Sequence, residues 1–240
     1  MKFKYEQMTP KEFLQAVDHM PVFFVPTGLL EWHGEHLPLG LDALKAYSLC
    51  LQTAEKIGGG IVLPPNYYGR PGFSSYAGTL TFSEACMDLL FTELFGQLKK
   101  VGAKVIVLLT GHYGPLQVDF IKRVSSYFEK ENPDIRIIAQ PEYEGVEVDG
   151  EVPADHAGKW ETSLFWHYYP ELTKMDQFKI TQPVRKLYAS PPNDYYKEGE
   201  TWEWQDLPKV ASRELGDKAA GLITDHLSQL IVNALASNDD

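Results

Sequence analysis

The 240 residues, 44% hydrophobic and 23% charged, have the composition of an ordinary globular protein and enough length to bury a full core without disulfide staples. A formal charge of −11 repels polyanions at long range, which argues against nucleic acid or an anionic membrane as partner. No stretch approaches the roughly 18 apolar residues that a membrane span needs, and Met1 to Gln7 lack the apolar core of a secretion signal, so a soluble, unexported, cytoplasmic protein is expected.

Strand-like and helical patterns alternate along the chain. Val22 to Pro26 is an apolar run that reads as a buried strand, and a helix follows from about Ala43 to Ile57, stopped by Gly58-Gly59-Gly60. Ile61 to Leu63 reads as a second strand, ended by Pro64-Pro65. Ser83 caps an amphipathic helix that carries Met87, Leu89, Leu90, Leu94 and Leu98 and closes at Gly102. Lys104 to Leu109 is the most strand-like run in the chain; a helix from about Leu116 to Lys130 and a strand from Ile135 to Ala139 come next. This order predicts an α/β fold of three α/β/α layers around a mostly parallel sheet.

The rest is less regular. Gly158 to Tyr168 reads as a short helix and Glu214 to Ala236 as a closing amphipathic one, while Gln182 to Val210, rich in Pro, Tyr and Trp, is expected to wrap the surface or a neighbouring subunit. With no repeat or linker, residues 1–240 are expected to form a single domain. Cys50 and Cys86 both fall in apolar helical patterns and are expected to be buried free thiols.

Polar residues with a capacity for chemistry gather in three places. Glu31, His33, Glu35, His36 and Asp42 crowd a Gly-punctuated loop directly after the first strand, a mixture of carboxylate and imidazole that suits a divalent cation. The other reading is a solvated polar loop in which Asp42 caps the next helix. His112 sits between Gly111 and Gly114 at the end of the Val105 to Leu109 strand, where it is either a ligand or a polar residue satisfied at a strand end. Asp155, His156 and Glu161 surround the start of the 158–168 helix; there the alternative is an N-cap followed by a first-turn acid. Ligand sites of open α/β sheets lie beyond the carboxyl ends of the strands, which is where the first two clusters fall.

Taken together, Glu-Trp-His-Gly-Glu-His-Leu-Pro-Leu-Gly-Leu-Asp at 31–42, Gly-His-Tyr-Gly at 111–114 and His-Ala-Gly-Lys-Trp-Glu-Thr-Ser at 156–163 resemble the creatininase (creatinine amidohydrolase) family. Tyr68-Gly69 and Ala77-Gly78-Thr79-Leu80 extend the likeness, which covers roughly residues 20–170. The resemblance implies a hydrolase with two divalent metal ions per chain (Zn, Mn or Fe). Glu31, Asp42 and His112 would hold one ion, His33, Asp42 and Glu161 the other, and the two would share a water ionised to hydroxide near neutral pH. It implies His156 as the catalytic proton shuttle and His36 as a residue that orients a ligand. It also implies a homo-oligomer, of hexameric form.

Three departures narrow the activity. Gly114 stands where creatininase proper has Glu, Thr110 where Asn is usual, and Arg70 to Tyr76 in place of a Ser-x-Glu-His pattern. Creatinine itself is therefore not the expected substrate. The expected reaction is hydrolysis of a small cyclic amide or formamide. Its alternatives are carbon–carbon cleavage of a cyclic keto-polyol, for which Tyr67, Tyr68, Tyr76 and Tyr113 could supply hydroxyls, and a non-catalytic metal-binding protein.

Overall fold

The computed structural model describes residues 2–188 and 195–237. Four parallel strands, β1 (Val22–Thr27), β2 (Ile61–Val62), β3 (Val105–Thr110) and β4 (Arg136–Pro141), lie in the order β2-β1-β3-β4. Their side chains alternate between the sheet faces. Val22, Phe24, Val105, Val107 and Leu109 pack on α2 (Leu41–Ile57) and the closing α7 (Arg213–Ala236). Phe23, Val25, Ile106 and Leu108 pack on α3 (Glu84–Lys100) and α4 (Pro115–Glu131). Every residue of β1 and β3 is buried, as central strands covered on both sides must be. The three-layer α/β/α architecture follows.

From β1 the chain crosses to β2 on one side, whereas β3 and β4 lie on the other, so the direction of winding reverses between β1 and β3. Their carboxyl ends pair as Thr27 with Thr110, and the crevice beyond that pair is the place such sheets reserve for ligands. The first turn of α2 is pressed into it. A Cβ on Gly28 would stand 2.4 Å from the Ala43 nitrogen, and one on Gly111 would stand 2.2 Å from the Asp42 carbonyl oxygen. Only glycine after each strand lets Asp42 sit between the two strand ends.

Three features depart from the sequence expectations. A first helix, α1 (Pro10–His19), precedes β1; its signal was the Thr9–Glu12 capping box with Pro10 at the first helical position. Between 182 and 210 the chain pairs β5 (Thr181–Tyr188) with β6 (Tyr195–Glu203) in an antiparallel hairpin before the short α6 (Leu207–Val210), regular elements that the sequence pattern does not foretell there. Part of that stretch, 189–194, lies outside the described residues. Cys50 is buried as expected, but Cys86 is exposed because it falls in the first turn of α3, on the face turned to solvent. Among the described residues no helix is long and apolar enough to cross a membrane.

The two kinds of glycine contact make a paired prediction. Gly111→Ala should lose about 1–3 kcal/mol in urea unfolding, because the new methyl meets backbone that cannot move aside. Gly96→Ala, in the interior of α3 with nothing within 4 Å, should gain roughly 0.5–1 kcal/mol.

Candidate metal centre and active site

Four segments converge at the crevice: the loop after β1, the first turn of α2, the turn after β3, and the start of α5 (Lys159–Tyr168). They bring Glu31, His33, Asp42, His112 and Glu161 together, all buried. Asp42 lies in the middle. Its Oδ1 is 3.1 Å from His33 Nε2, and its Oδ2 is 3.5 Å from His112 Nδ1. Glu31 Oε2 closes one side at 3.0 Å from His112 Nδ1, and Glu161 Oε2 the other at 3.5 Å from His33 Nε2. Glu31, Asp42 and His112 form one set of three that could hold an ion, His33, Asp42 and Glu161 a second, and Glu31, His33 and His156 a third.

Hydrogen bonds outside the cluster aim these groups. His33 Nδ1 lies 3.0 Å from the Glu31 carbonyl oxygen; a carbonyl only accepts, so Nδ1 carries a proton whatever the charge of the ring, and Nε2 is the nitrogen turned inward. Both Asp42 oxygens are buried and have no amide or hydroxyl donor; the imidazoles of His33 and His112 are what they face. The Phe73 amide donates to Glu31 Oε1 at 2.6 Å. Glu161 Oε2 accepts from the Ala157 amide at 2.8 Å, while Lys45 Nζ holds its other oxygen at 2.8 Å. Gly114 leaves space for His112: a Cβ there would be 2.8 Å from its Nε2. Thr110 serves the turn, since its hydroxyl donates to the His112 carbonyl and accepts from the His112 amide.

The protonation pattern reflects packed negative charge. Burial opposes ionisation of Glu31, but the His112 imidazole beside it pulls the carboxyl down to about 2. Burial likewise opposes a charged His33, yet Asp42 and Glu161 raise it to about 9. Asp42 itself is pushed above the ordinary carboxyl range by burial. Protonated imidazoles thus supply positive charge that a divalent ion would supply on binding, releasing protons as it did so.

His156 differs from the rest. Its Nε2 donates to the Trp32 carbonyl at 2.9 Å, which leaves Nδ1 as the unprotonated nitrogen, and burial with the nearby His33 charge brings its pKa down to about 4. The ring packs against Phe73, with centroids 4.3 Å apart, and Trp32, Trp202 and Trp204 extend this aromatic wall. The backbone just after it is strained: Ala157 has a φ of 50°, a region costly for a residue with a Cβ. Its amide goes to Glu161, and its carbonyl accepts from His36 Nε2 at 3.2 Å and from the Thr162 hydroxyl. His36 therefore reaches Glu161 through a single residue, Ala157. Asp155 behaves as a helix cap, accepting from the Trp160 and Glu161 amides. Glu35 points to solvent.

A cavity of about 430 Å³ opens over the cluster, with Pro71, Phe73, Tyr113, Pro115 and Leu116 among its walls. Of the four tyrosines considered above, only Tyr113 lines it, and that hydroxyl is engaged by Lys45 at 2.6 Å and by Glu142. Lys45 and Glu142 went unnoticed in the sequence. A lone lysine in a helix reads as a solvated face, and only the fold reveals that Lys45 is fully buried. Its sole advance signal was its place three residues after Asp42.

Fold and cluster define a class, a three-layer α/β/α protein with a carboxylate–imidazole centre at the switch point of its sheet. The chain belongs to the creatininase family: the model described as creatinine amidohydrolase matches residues 6–231, beyond the 20–170 stretch legible from motifs. Members of this family are metal-dependent amidohydrolases. Creatinine amidohydrolase of Pseudomonas putida is 27% identical over 201 residues, 73% of each chain. A mycofactocin precursor peptide peptidase of Mycolicibacterium smegmatis is 29% identical over 182 residues, 70% of this chain and 67% of that one. A manganese creatininase structure superposes with a TM-score of 0.73 at 22% identity, covering 96% of this chain and 98% of the other. A glutamate-to-glutamine creatininase variant of Zn-Zn type superposes at 0.70 with 24% identity and the same coverage.

Proposed function

We propose that Glu31, Asp42 and His112 hold one divalent ion and His33, Asp42 and Glu161 a second, and that the chain hydrolyses the carbon–nitrogen bond of a small cyclic amide or formamide. The observation that carries this reading is the Asp42 carboxylate. Each of its oxygens faces a different imidazole, at 3.1 and 3.5 Å, and neither buried oxygen accepts from a backbone amide or a hydroxyl. So costly an arrangement is stable only with positive charge on each side. Mixed imidazole and carboxylate donors suit Zn, Mn or Fe, and the manganese and Zn-Zn relatives support the first two. Ions held there would polarise a carbonyl and lower the pKa of water toward neutrality.

The chain's own residues do the rest. His156, neutral at pH 7, stands beside Glu31 and His33 with Nδ1 unprotonated, and can take a proton from the attacking water and return it to the departing nitrogen. Its bond to the Trp32 carbonyl keeps that tautomer throughout. Phe73 and the tryptophans restrict solvent around the imidazole, which strengthens every electrostatic interaction there. The cavity volume fits a small ligand. A second reading, cleavage near the end of a peptide, draws on the mycofactocin peptidase relative and on a cavity edge at Pro115 and Leu116 that lies open to solvent. The keto-polyol alternative gains nothing from the tyrosines, whose one cavity-lining hydroxyl is already engaged. Assembly as a homo-hexamer is proposed from the family resemblance alone.

Metal content after dialysis tests the ligand assignment. Asp42→Ala should lose both ions and Glu161→Ala only one; equal loss in the two variants, or none in either, refutes the shared carboxylate. His156→Ala should keep both ions and its fold while turnover of lactams, formamides or short peptides drops on the order of 10² to 10⁴-fold. Loss of metal in parallel with activity would instead make His156 a ligand, in the set it can form with Glu31 and His33.

A further inference from the structure

Lys45 is a fully buried cation with no direct place among the proposed ligands. Its ammonium has three protons and three acceptors: the Tyr113 hydroxyl at 2.6 Å, Glu161 Oε1 at 2.8 Å and Glu142 Oε1 at 2.8 Å. These belong to three different segments, the turn after β3, the first turn of α5 and the residue just past β4. Lys45 thus ties the far wall of the cluster together from α2, one turn beyond Asp42.

The consequence falls on Glu161. With Oε1 on Lys45 and Oε2 on the Ala157 amide, the carboxylate is gripped at both ends and cannot rotate. Oε2 is the oxygen turned to His33, so Glu161 can offer one oxygen to an ion and not two. In the ligand set proposed above, on which this inference rests, Glu161 is the second ion's only unshared carboxylate. We propose that Lys45 is a positioning residue for the second ion: it fixes the single-oxygen presentation of Glu161 and thereby sets the affinity and geometry of that ion without touching the first. Groups of this kind behind a ligand commonly account for 10–100-fold in metal affinity.

Removing Lys45 alone would leave Glu142 as an unpaired buried carboxylate, so the informative variant is Lys45→Met/Glu142→Gln, which deletes the charge pair together. The full chain is stripped of metal and titrated with Zn²⁺ and with Mn²⁺ against a chelator, and with Co²⁺ followed by its visible spectrum. The double variant should bind the first ion as wild type does and the second about 10–100-fold more weakly, with an altered Co²⁺ spectrum for the second equivalent only. Glu142→Gln, which leaves Lys45 on Glu161, should bind both ions almost normally. Equal affinity for both ions in the double variant overturns the role of Lys45, as does a Glu142→Gln variant as weak as the double one. If the double variant does not fold, Lys45→Gln is titrated in its place and should show the same selective loss; unchanged second-ion binding there overturns the proposal too. Wild-type protein that takes up fewer than two ions refutes the two-ion reading itself, an outcome read before any variant is compared.

Discussion

Three carboxylates and two imidazoles are buried in contact at one point of this structure, with half-buried His156 beside them, and most of its local architecture follows from making that arrangement tolerable. Buried anions repel one another and lose their water, so each must find a donor or a cation. Here the supports are specific: the Phe73 amide for Glu31, the Ala157 amide and Lys45 for Glu161, raised imidazole basicity at His33 and His112 for Asp42. Asp42 has no amide or hydroxyl donor and depends on the imidazoles alone, and it is the residue set between the two halves of the cluster. A parallel sheet that changes winding direction beside its first strand supplies the crevice; glycines at 28 and 111 let a helix terminus enter it.

The wall opposite Lys45 has a different composition. His156 is held among Phe73, Trp32 and Trp202, an apolar setting that lowers its basicity and keeps it free of the charge carried by its neighbours. In the proposed reading, proton transfer and metal binding fall to imidazoles whose surroundings push them in opposite directions, His33 up and His156 down. The strained Ala157 links them. It follows His156, donates to Glu161 and accepts from His36, so one costly peptide orients residues on both sides of the chemistry. The β5–β6 hairpin matters for the same reason, because Trp202 and Trp204 reach the wall from it.

Much of this was legible in the residues alone. Two runs of apolar residues, each ending in glycine and histidine, announce buried parallel strands with a site at their ends, because hydrophobic periodicity and turn chemistry are local properties. Three glycine-punctuated clusters of imidazole and carboxylate stood out, and the resemblance to the creatininase family then singled out Glu31, His33, Asp42, His112, His156 and Glu161 within them. What local pattern could not decide was which atoms meet. The tautomer of His33 is set by a carbonyl two residues before it, but the division of Asp42 between two imidazoles needs His112 from 70 residues away, and the tautomer of His156 and the route from His36 to Glu161 through Ala157 join segments more than a hundred residues apart. Lys45 and Glu142 are the clearest case, since a charged residue in a helix or after a strand is solvated unless tertiary packing buries it. The hairpin and the exposed Cys86 have the same origin: strand pairing and the choice of a helix's buried face are settled by what packs against them.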